Sequence, residues 1–244
     1  MKAVILAGGE GTRLYPVTRV INKHLLPIYD RPVIQYAVDK IASYGISEIL
    51  IITNSLYIPN FKRLFAGQDR CRISYVVQNE PRGIAHGLRL AKKFVGKENF
   101  LFWLGDGIVE DNLTRHIHDF SGGAKVFIKR VSDPERFGVA TVDKRHRVLE
   151  IIEKPKQPKS HYAVTGIYLY DATVFEKMRG QPVSDRGEYE ITYVNNKYIE
   201  EGTLSAVYLK KQWFDIGTFE SLFKATVYIR KKVRGAKPGN NVTM

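Results

Sequence analysis

Three glycines and an arginine follow the first apolar run of the chain, in the segment AVILAGGEGTR. Gly8, Gly9 and Gly11 allow positive φ angles and a close backbone approach, so that amide groups can donate hydrogen bonds to phosphate oxygens. Arg13 adds a planar cation that suits phosphate. The spacing matches neither the dinucleotide fingerprint nor the P-loop, because Leu14 replaces the third glycine and no Gly-Lys-Ser/Thr follows. The segment is therefore either a phosphate-binding loop of another kind or a structural turn.

Two aspartates end strand-like runs that are otherwise strongly apolar. Asp106 closes FLFWLGD, and Asp215 has a similar setting in WFDIGT, 109 positions later. A buried carboxylate is costly unless it is paired or bound to a metal. Because Mg²⁺ uses one or two protein carboxylates together with substrate phosphates, two aspartates at distant strand ends suit it. The alternative is that both aspartates lie in turns or cap helices.

Lysine, histidine and cysteine offer fewer candidates. Lys23 in NKHLLP and Lys154 in EKP lie in polar breaks beside apolar runs, where each is either an anion-binding residue or an ordinary surface lysine. His116 and His118 are two positions apart and do not share a helix face, which disfavours a metal pair. The single cysteine, Cys71, excludes an internal disulfide and a thiolate metal site.

Parallel strands must carry these residues if the opening loop and Asp106 are to meet. In the first 110 residues, apolar runs alternate with amphipathic stretches, which predicts a βαβαβαβ order and an open, doubly wound sheet. Ligands bind at the carboxyl ends of such strands, and both the loop and Asp106 fall there. The predicted strands are KAVIL (2–6), EILIIT (48–53), ISYVVQ (73–78) and NFLFWLGD (99–106), and the predicted helices span 32–44, 57–66 and 83–95.

The alternation of apolar runs and amphipathic stretches ends after Asp111. Strand-like runs follow with little helix between them, which predicts antiparallel or mixed strands that extend the first sheet. Helices are predicted to begin near Glu188 and near Thr218, and no Pro/Ser-rich linker separates the two parts. The later predicted strands are AKVFIKRV (124–131), FGVATVD (137–143), VLEIIEKP (148–155), AVTGIYLYD (163–171) and LSAVYL (204–209).

The bulk composition is that of a soluble globular protein. The 244 residues are 44% hydrophobic and 26% charged, and no apolar run approaches the ~18 residues of a membrane helix. The first apolar segment is shorter than a signal peptide requires, so we expect a cytoplasmic protein without a membrane partner. The net charge of +13 would attract anions. Nucleic acid is not an expected partner, because no groove-reading motif accompanies this charge.

Nine ordered motifs together resemble the sugar-1-phosphate nucleotidyltransferases, most closely the members that transfer a thymidylyl group. The resemblance covers residues 2 to about 230 and implies a Rossmann-like fold, with a mostly parallel mixed sheet and helices on both faces. It also implies a Mg²⁺-dependent reaction of dTTP with glucose 1-phosphate that gives dTDP-glucose and pyrophosphate. The motifs are LAGGEGTRLYPVT, NKHLLPIYDRP, QNEPRGIAHGL, LGDG, DPERFGVATVD, IEKP, YAVTGIYLYD, RGEYEIT and WFDIGT.

The resemblance implies a role for each matched residue. Arg13, Lys23 and Asp106 would be catalytic, and Asp106 and Asp215 would bind the metal. The residues implied to contact the nucleotide are Leu6, Gly8, Gly9, Gly11, Thr12, Arg13, Lys23, Gln78, Gly83 and Asp106. Those implied to contact the sugar phosphate are Gly138, Glu153, Lys154 and Val164. We therefore expect a single nucleotidyltransferase domain over residues 1–235, with a nucleotide-binding half at about 1–110, a sugar-phosphate-binding half at about 111–235, and a short basic tail at 236–244.

Two positions depart from the family pattern. Gly107 replaces the asparagine that usually follows Asp106 and contacts the sugar, so the sugar is less well defined than the reaction. Tyr193 replaces an aspartate that often follows EIT.

Alternatives to thymidylyl transfer stay open from the sequence. Uridylyl transfer, alone or in a bifunctional enzyme, is the nearest, because a methyl-sized contact discriminates weakly between substrates. A catalytically inactive, nucleotide-binding regulatory subunit is the alternative of another class. The resemblance implies tetramer contacts only for longer members, which continue through a further helical segment, so for this sequence we expect a smaller homo-oligomer or a monomer.

Overall fold

A nine-stranded mixed sheet runs through the part of the protein that the computed structural model describes, residues 1–145 and 147–235. The predicted basic tail, 236–244, lies outside these residues. The strands of this sheet and of two small two-stranded sheets are β1 (Lys2–Leu6), β2 (Pro27–Ile28), β3 (Arg31–Pro32), β4 (Glu48–Thr53), β5 (Arg72–Val77), β6 (Phe100–Leu104), β7 (Gly107–Val109), β8 (Ala124–Arg130), β9 (Gly138–Val142), β10 (Val148–Glu153), β11 (Tyr162–Tyr170), β12 (Leu204–Tyr208) and β13 (Trp213–Asp215).

The first half of the chain forms the parallel part of the sheet. Strand β1 lies between β4 and β6 and is parallel to both, and β5 is parallel to β4. Leu6 pairs with Ile52 on one side and with Leu104 on the other. The segments that follow these residues therefore leave the sheet at the same edge, as the sequence predicted for the opening loop and Asp106.

The second half extends the sheet with antiparallel pairings and one parallel pairing, that of β12 with β8, which confirms the predicted antiparallel or mixed extension. Strand β11 is antiparallel to β6, to β8 and, at one residue pair, to β9. Its register against β8 shifts between Val164 and Tyr168. Gly166 lies in this irregular stretch with φ +77°, where a side chain would lie 2.7 Å from Leu104 Cδ1. The irregularity thus lies where β11 passes the carboxyl end of β6.

Helices cover the sheet and confirm the predicted fold class, with some differences in detail. The predicted helix over 83–95 is wrong in one respect, because it is two helices separated by Leu90 and Ala91. Short helices after Leu113 and Thr173 were not predicted. The helices are α1 (Val33–Ser43), α2 (Ile58–Leu64), α3 (Ile84–Arg89), α4 (Lys92–Val95), α5 (Thr114–His118), α6 (Val174–Lys177), α7 (Ile191–Glu200) and α8 (Phe219–Gly235).

Alternate residues of the central strands enter two separate hydrophobic clusters. Val4 and Phe102 belong to one cluster, whereas Ile5 and Trp103 belong to the other. Because successive side chains of a strand point to opposite faces, the sheet is buried on both sides, which explains the continuous apolar runs in the sequence. In the described residues, no helix is both long and apolar enough to cross a membrane.

A third, smaller cluster supports the edge where the candidate site lies. Helix α8 contributes Ala225 and Ile229 to it, and these pack with Leu14 and Ile216. Leu14 is fully buried, which explains its place in the glycine-rich segment. The cluster therefore anchors both the opening loop and the segment after Asp215.

Candidate active site

One large cleft lies at the carboxyl edge of the parallel strands and extends over the antiparallel half. Its volume is about 630 Å³. All but one of the site residues predicted from the sequence line it, namely Leu6, Gly9, Gly11, Thr12, Arg13, Lys23, Gln78, Gly83, Asp106, Gly138, Glu153, Lys154, Val164 and Asp215. The exception, Gly8, lines a smaller adjoining cavity of about 330 Å³. The fold therefore brings together residues that are far apart in the sequence.

Lys23 and Asp106 form an ion pair at the centre of the cleft. Lys23 is held by a short helical turn that Asn22 caps, since the side chain of Asn22 accepts a hydrogen bond from the amide of His24. Burial raises the pKa of Asp106, but the charge of Lys23 and the hydrogen bond that Lys23 donates outweigh this effect, and the pKa lies below its usual value. Asp106 is therefore ionised at neutral pH.

His24 is a buried neighbour of this pair that carries no charge at neutral pH. Burial, followed by the charge of Lys23, lowers its pKa to about 3, although Asp106 opposes the shift. Its Nδ1 lies 2.7 Å from the side-chain oxygen of Asn22, and the amide nitrogen of Asn22 donates to the carbonyl of Ala7. The bond to Ala7 orients the Asn22 amide, so His24 Nδ1 carries the proton and donates.

Asp215 reaches the same place through the small sheet formed by β7 and β13. Asp215 pairs with Gly107 in this sheet, and the amide of Ile216 donates to the carbonyl of Asp106 at 3.0 Å. Burial, followed by the charge of Asp106, raises the pKa of Asp215 to about 6, whereas Lys23, Arg13 and Arg136 act in the opposite direction. The two predicted metal-binding carboxylates thus lie close enough to repel each other.

The donors present suit a magnesium ion. In the described residues, no group of three or more histidine, cysteine, aspartate or glutamate side chains could hold a metal by itself. Mg²⁺ needs only one or two protein carboxylates when substrate phosphates and water supply its other ligands. Asp106 and Asp215 are such a pair, and the repulsion between them is relieved when a cation lies between two carboxylates.

Arg13 lies beside Asp215, on the side of the glycine-rich loop. A side chain at Gly217 would lie 2.7 Å from Arg13 Nη2 and 2.9 Å from Asp215 Oδ2, so the absence of a side chain there leaves room for both groups. Arg13 and Lys23 thus bring positive charge next to the carboxylates of Asp106 and Asp215. Positive charge aligned in a cleft of this kind attracts polyanions.

The far end of the cleft holds the residues predicted to contact the sugar phosphate. Glu153 pairs with Gly138 in the β9–β10 ladder, and its Oε2 accepts a hydrogen bond of 2.7 Å from Thr192. Burial raises the pKa of Glu153, although the bond from Thr192 lowers it. Lys154 follows with φ +42°, and its amide donates to the carbonyl of Phe137 at 3.0 Å. This unusual backbone turns the lysine out of the strand beside the cleft.

Gln78 and Gly83, the residues predicted to contact the base, lie at the opposite end. Gly83 has φ +98°, and a side chain there would lie 2.7 Å from the carbonyl oxygen of Tyr189. Two backbone hydrogen bonds, Tyr189 N to Arg82 O and Ala85 N to Tyr189 O, hold the same contact. The turn that carries Gly83 is thus fastened to the segment that leads into α7.

Several residues that line this cleft were not predicted from the sequence. Arg136 donates to Asp133 at 2.6 Å through Nη1, while its Nη2 is buried without a hydrogen-bond partner and lies 3.9 Å from Asp215 Oδ2. Thr192 was quoted within a motif but was given no role, although it binds Glu153. The indole nitrogen of Trp213 is likewise buried without a partner. Their places within the quoted motifs are the only sequence features that point to these residues, because burial and the lack of a hydrogen-bond partner can be seen only in the structure.

Comparison with known proteins agrees with this architecture. Residues 2–232 match the Nucleotidyl transferase family, and the chain therefore belongs to that family. Among its relatives, a protein of Mycolicibacterium smegmatis named glucose-1-phosphate thymidylyltransferase is 42% identical over 239 residues, which cover 94% of this chain and 82% of the relative. A protein of the same name from Neisseria meningitidis is also 42% identical and covers 94% and 83%.

Solved structures extend the comparison. A candidate glucose-1-phosphate thymidylyltransferase from Bacillus anthracis, crystallised in complex with sucrose, superposes with a TM-score of 0.89 at 42% identity and covers 98% of both chains. A UDP-glucose pyrophosphorylase complexed with UDP-glucose superposes with a TM-score of 0.86 at 24% identity, covering 95% and 98%, and is similar in fold.

Proposed function

We propose that the protein transfers a thymidylyl group from dTTP to glucose 1-phosphate, giving dTDP-glucose and pyrophosphate. The observation that carries this proposal is the single cleft, in which a glycine-rich loop with Arg13 lies at one end and the pair Glu153–Lys154 at the other. The Lys23–Asp106 pair and Asp215 lie between these ends. The relatives named glucose-1-phosphate thymidylyltransferase support the same activity.

In this reaction a phosphate oxygen of the sugar phosphate attacks the α-phosphorus of the nucleotide. The new O–P bond forms as the bond between the α-phosphorus and the bridging oxygen breaks, and pyrophosphate leaves with the electron pair. The attacking oxygen is already ionised, so the protein needs to supply little acid or base chemistry. Its task is to align two polyanions and to stabilise the charge that develops between them.

We assign this task to the charged residues of the cleft. Arg13 stabilises charge on the transferring and leaving phosphates, Lys23 neutralises the triphosphate, and Lys154 holds the phosphate of the sugar. Gln78 and Gly83 contact the base, and the loop residues Leu6, Gly8, Gly9, Gly11 and Thr12 contact the nucleotide. Gly138, Glu153 and Val164 contact the sugar.

We further propose that Asp106 and Asp215 hold Mg²⁺ together with the phosphates. When bound, the ion supplies positive charge that offsets repulsion between the two substrates. The donor set supports this assignment, because Mg²⁺ is usually held by one or two protein carboxylates together with substrate phosphates, and Asp106 and Asp215 would supply the two carboxylates. A single catalytic domain over residues 1–235 is part of the same proposal, since both predicted halves contribute residues to one cleft. A cytoplasmic location is a further part of it, supported by the single cysteine, which excludes an internal disulfide.

The decisive experiment is a matrix of nucleoside triphosphates against sugar 1-phosphates with Mg²⁺, read by release of pyrophosphate. We expect release with dTTP and glucose 1-phosphate. A preference for UTP would replace the thymidylyl assignment by uridylyl transfer. No release from any pair, combined with tight nucleotide binding in calorimetry, would support an inactive regulatory subunit and overturn the enzyme assignment.

A further inference from the structure

The side chain of Gln78 lies between the glycine-rich loop and helix α3, and the residue is only 3% exposed. Its amide nitrogen Nε2 lies 3.3 Å from His86 Nδ1. Its oxygen Oε1 occupies the space that a side chain at Gly8 would need. Within the described residues, the side-chain amide of Gln78 makes one hydrogen bond, to His86. One end of this amide is therefore held by the protein, and the other faces the loop.

The ring of His86 is itself fixed in place. It stacks on Tyr189 with ring centroids 6.1 Å apart, and the guanidinium of Arg89 lies 4.6 Å from the centre of the Tyr189 ring. Burial, followed by the charges of Arg82 and Arg89, lowers the pKa of His86. A neutral imidazole has one acceptor nitrogen. Because an amide NH₂ can only donate, the nitrogen that faces Gln78, Nδ1, is that acceptor.

We propose that His86 is a positioning residue that fixes the orientation of the Gln78 amide, so that Gln78 presents its oxygen to the nucleobase. The proposal rests on the proposed function, in which Gln78 contacts the base. His86 does not contact the substrate in this arrangement and acts through Gln78. It thereby determines which hydrogen-bonding pattern of a pyrimidine is accepted.

The consequence follows from the edges of the bases. Thymine and uracil carry an N–H donor at N3, which an amide oxygen accepts. Cytosine carries an unprotonated N3, whose lone pair would face the lone pairs of the same oxygen. An amide rotated by 180° would reverse this preference, since it would present NH₂ instead. A site that leaves buried polar groups unpaired against the wrong ligand discriminates strongly.

The test uses substitutions that separate the acceptor nitrogen from the ring. His86→Phe keeps the ring that stacks on Tyr189 but has no acceptor, so the Gln78 amide becomes free to rotate. His86→Asn supplies an amide oxygen near the position of Nδ1 and should restore the wild-type orientation. His161→Leu is the matched control, because His161 is an exposed histidine that does not line the cleft. If His86→Phe does not fold, His86→Leu provides a second variant without an acceptor.

Calorimetry measures the dissociation constants of dTTP and dCTP for each purified full-length variant. We expect the preference of the wild-type protein for dTTP to fall about tenfold in His86→Phe, as for the loss of one hydrogen bond. His86→Asn should recover it, and His161→Leu should not change it. If His86 had only a structural role, its substitution would weaken the binding of both nucleotides equally and leave the ratio of their dissociation constants unchanged.

Two outcomes overturn the inference. The first is an unchanged ratio of the two dissociation constants in a folded variant that lacks the acceptor, and the second is a wild-type protein that does not prefer dTTP to dCTP. The failure of the proposed function is read separately, from the absence of pyrophosphate release by the wild-type protein. Binding of nucleotides without turnover would thus reject the enzyme assignment and still test the role of His86.

Discussion

The ammonium group of Lys23 contacts a carboxylate oxygen of Asp106, although the two residues lie 83 positions apart in the chain. Both side chains are largely buried, with 15% and 12% of their surface exposed. The pair therefore stabilises two charges that would be costly to bury alone. A triphosphate that binds Lys23 would replace Asp106 as the partner of the ammonium group, and a cation that binds Asp106 would replace Lys23 as the partner of the carboxylate.

Substitution of Asp106 tests the centre of this arrangement. Asp106→Asn keeps the shape of the side chain but removes one carboxylate from the site, so we expect turnover to fall by about 10²–10³-fold. Pyrophosphate release from dTTP and glucose 1-phosphate measures the effect. Asp69→Asn, at an exposed aspartate, is the control and should behave like the wild type. Wild-type turnover in a folded Asp106→Asn variant would remove Asp106 from the mechanism.

The metal assignment predicts a changed requirement for magnesium. Asp215→Asn removes one of the two proposed ligands, so we expect the Mg²⁺ concentration that gives half-maximal turnover to rise about tenfold or more. Addition of a chelator should abolish turnover of the wild-type protein, and excess Mg²⁺ should restore it. A magnesium titration that is identical in both proteins would argue that Asp215 is not a ligand.

Asp215 also makes stability depend on pH. Its pKa is about 6 in the folded protein against an ordinary value of 3.8, so the folded state binds more protons than the unfolded state between about pH 4 and pH 6. The free energy of unfolding must therefore decrease as the pH rises through this window. Asp215→Asn has no carboxylate to titrate at this position. As the pH rises from 4 to 7, its free energy of unfolding should therefore increase by about 1–3 kcal/mol relative to that of the wild type. Urea unfolding at a series of pH values measures it, and a pH-independent difference would contradict the buried carboxylate pair.

Turnover should depend on pH in the opposite direction to stability. A carboxylate binds a metal in its ionised form, so magnesium-dependent turnover should fall as the pH decreases through about 6, where Asp215 becomes protonated. The measurement is turnover against pH at subsaturating Mg²⁺, because excess metal competes with the proton and hides the effect. A profile that stays flat down to pH 5 would contradict this assignment.

A substitution at Lys154 tests which of the two phosphate sites binds the sugar phosphate. Lys154→Met keeps the aliphatic stem and removes the charge, so we expect the KM for glucose 1-phosphate to rise about 10–100-fold, as for a lost charged hydrogen bond. The KM for dTTP should change little. Lys156→Met is the matched control, because Lys156 is an exposed lysine two positions away that does not line the cleft. An effect on dTTP alone would mean that the two phosphate sites had been assigned in reverse.

The turn at Gly83 predicts a cost in both stability and binding. Gly83→Ala and Gly180→Ala both place a side chain at positive φ, which by itself costs about 1–3 kcal/mol. At Gly180 nothing lies within 4 Å of the new carbon, whereas at Gly83 it lies 2.7 Å from the backbone of Tyr189. Gly83→Ala should therefore destabilise more and should alone weaken dTTP binding. Thermal unfolding and calorimetry measure the two effects, and equal behaviour of both variants would contradict the contact with Tyr189.

The sequence predicted the parts of the fold that long apolar runs define. Strands buried on both faces produce continuous runs, and their order predicted that the loop after Leu6 and Asp106 lie at one edge. The break in the predicted helix over 83–95 was missed because it depends on local hydrogen bonding. The amides of Leu90 and Ala91 donate to carbonyls three residues earlier, which tightens the chain without a proline or any other sequence signal.

The meeting of Asp215 with Asp106 could not be derived from spacing. It depends on β7 and β13, two strands of three residues each that are too short to leave a pattern in the sequence. The resemblance to a family supplied this pairing, and the structure supplies its physical basis. Arg136 lies in the quoted motif DPERFGVATVD but was given no role, because a buried guanidinium nitrogen without a hydrogen-bond partner is a property of packing and not of sequence.

The position of β11 in the sheet has a consequence for any attempt to divide the protein. This strand comes late in the chain, yet it covers the edge of β6, and β6 is the last parallel strand of the first half. A fragment that ends near residue 110 would keep the glycine-rich loop and Asp106, and β6 would still pair with β1, but the backbone groups on the edge of β6 that faces β11 would have no partners. Open edges of this kind recruit other strands. We therefore expect such a fragment to self-associate, whereas the two halves supplied together could assemble around the shared strand pair.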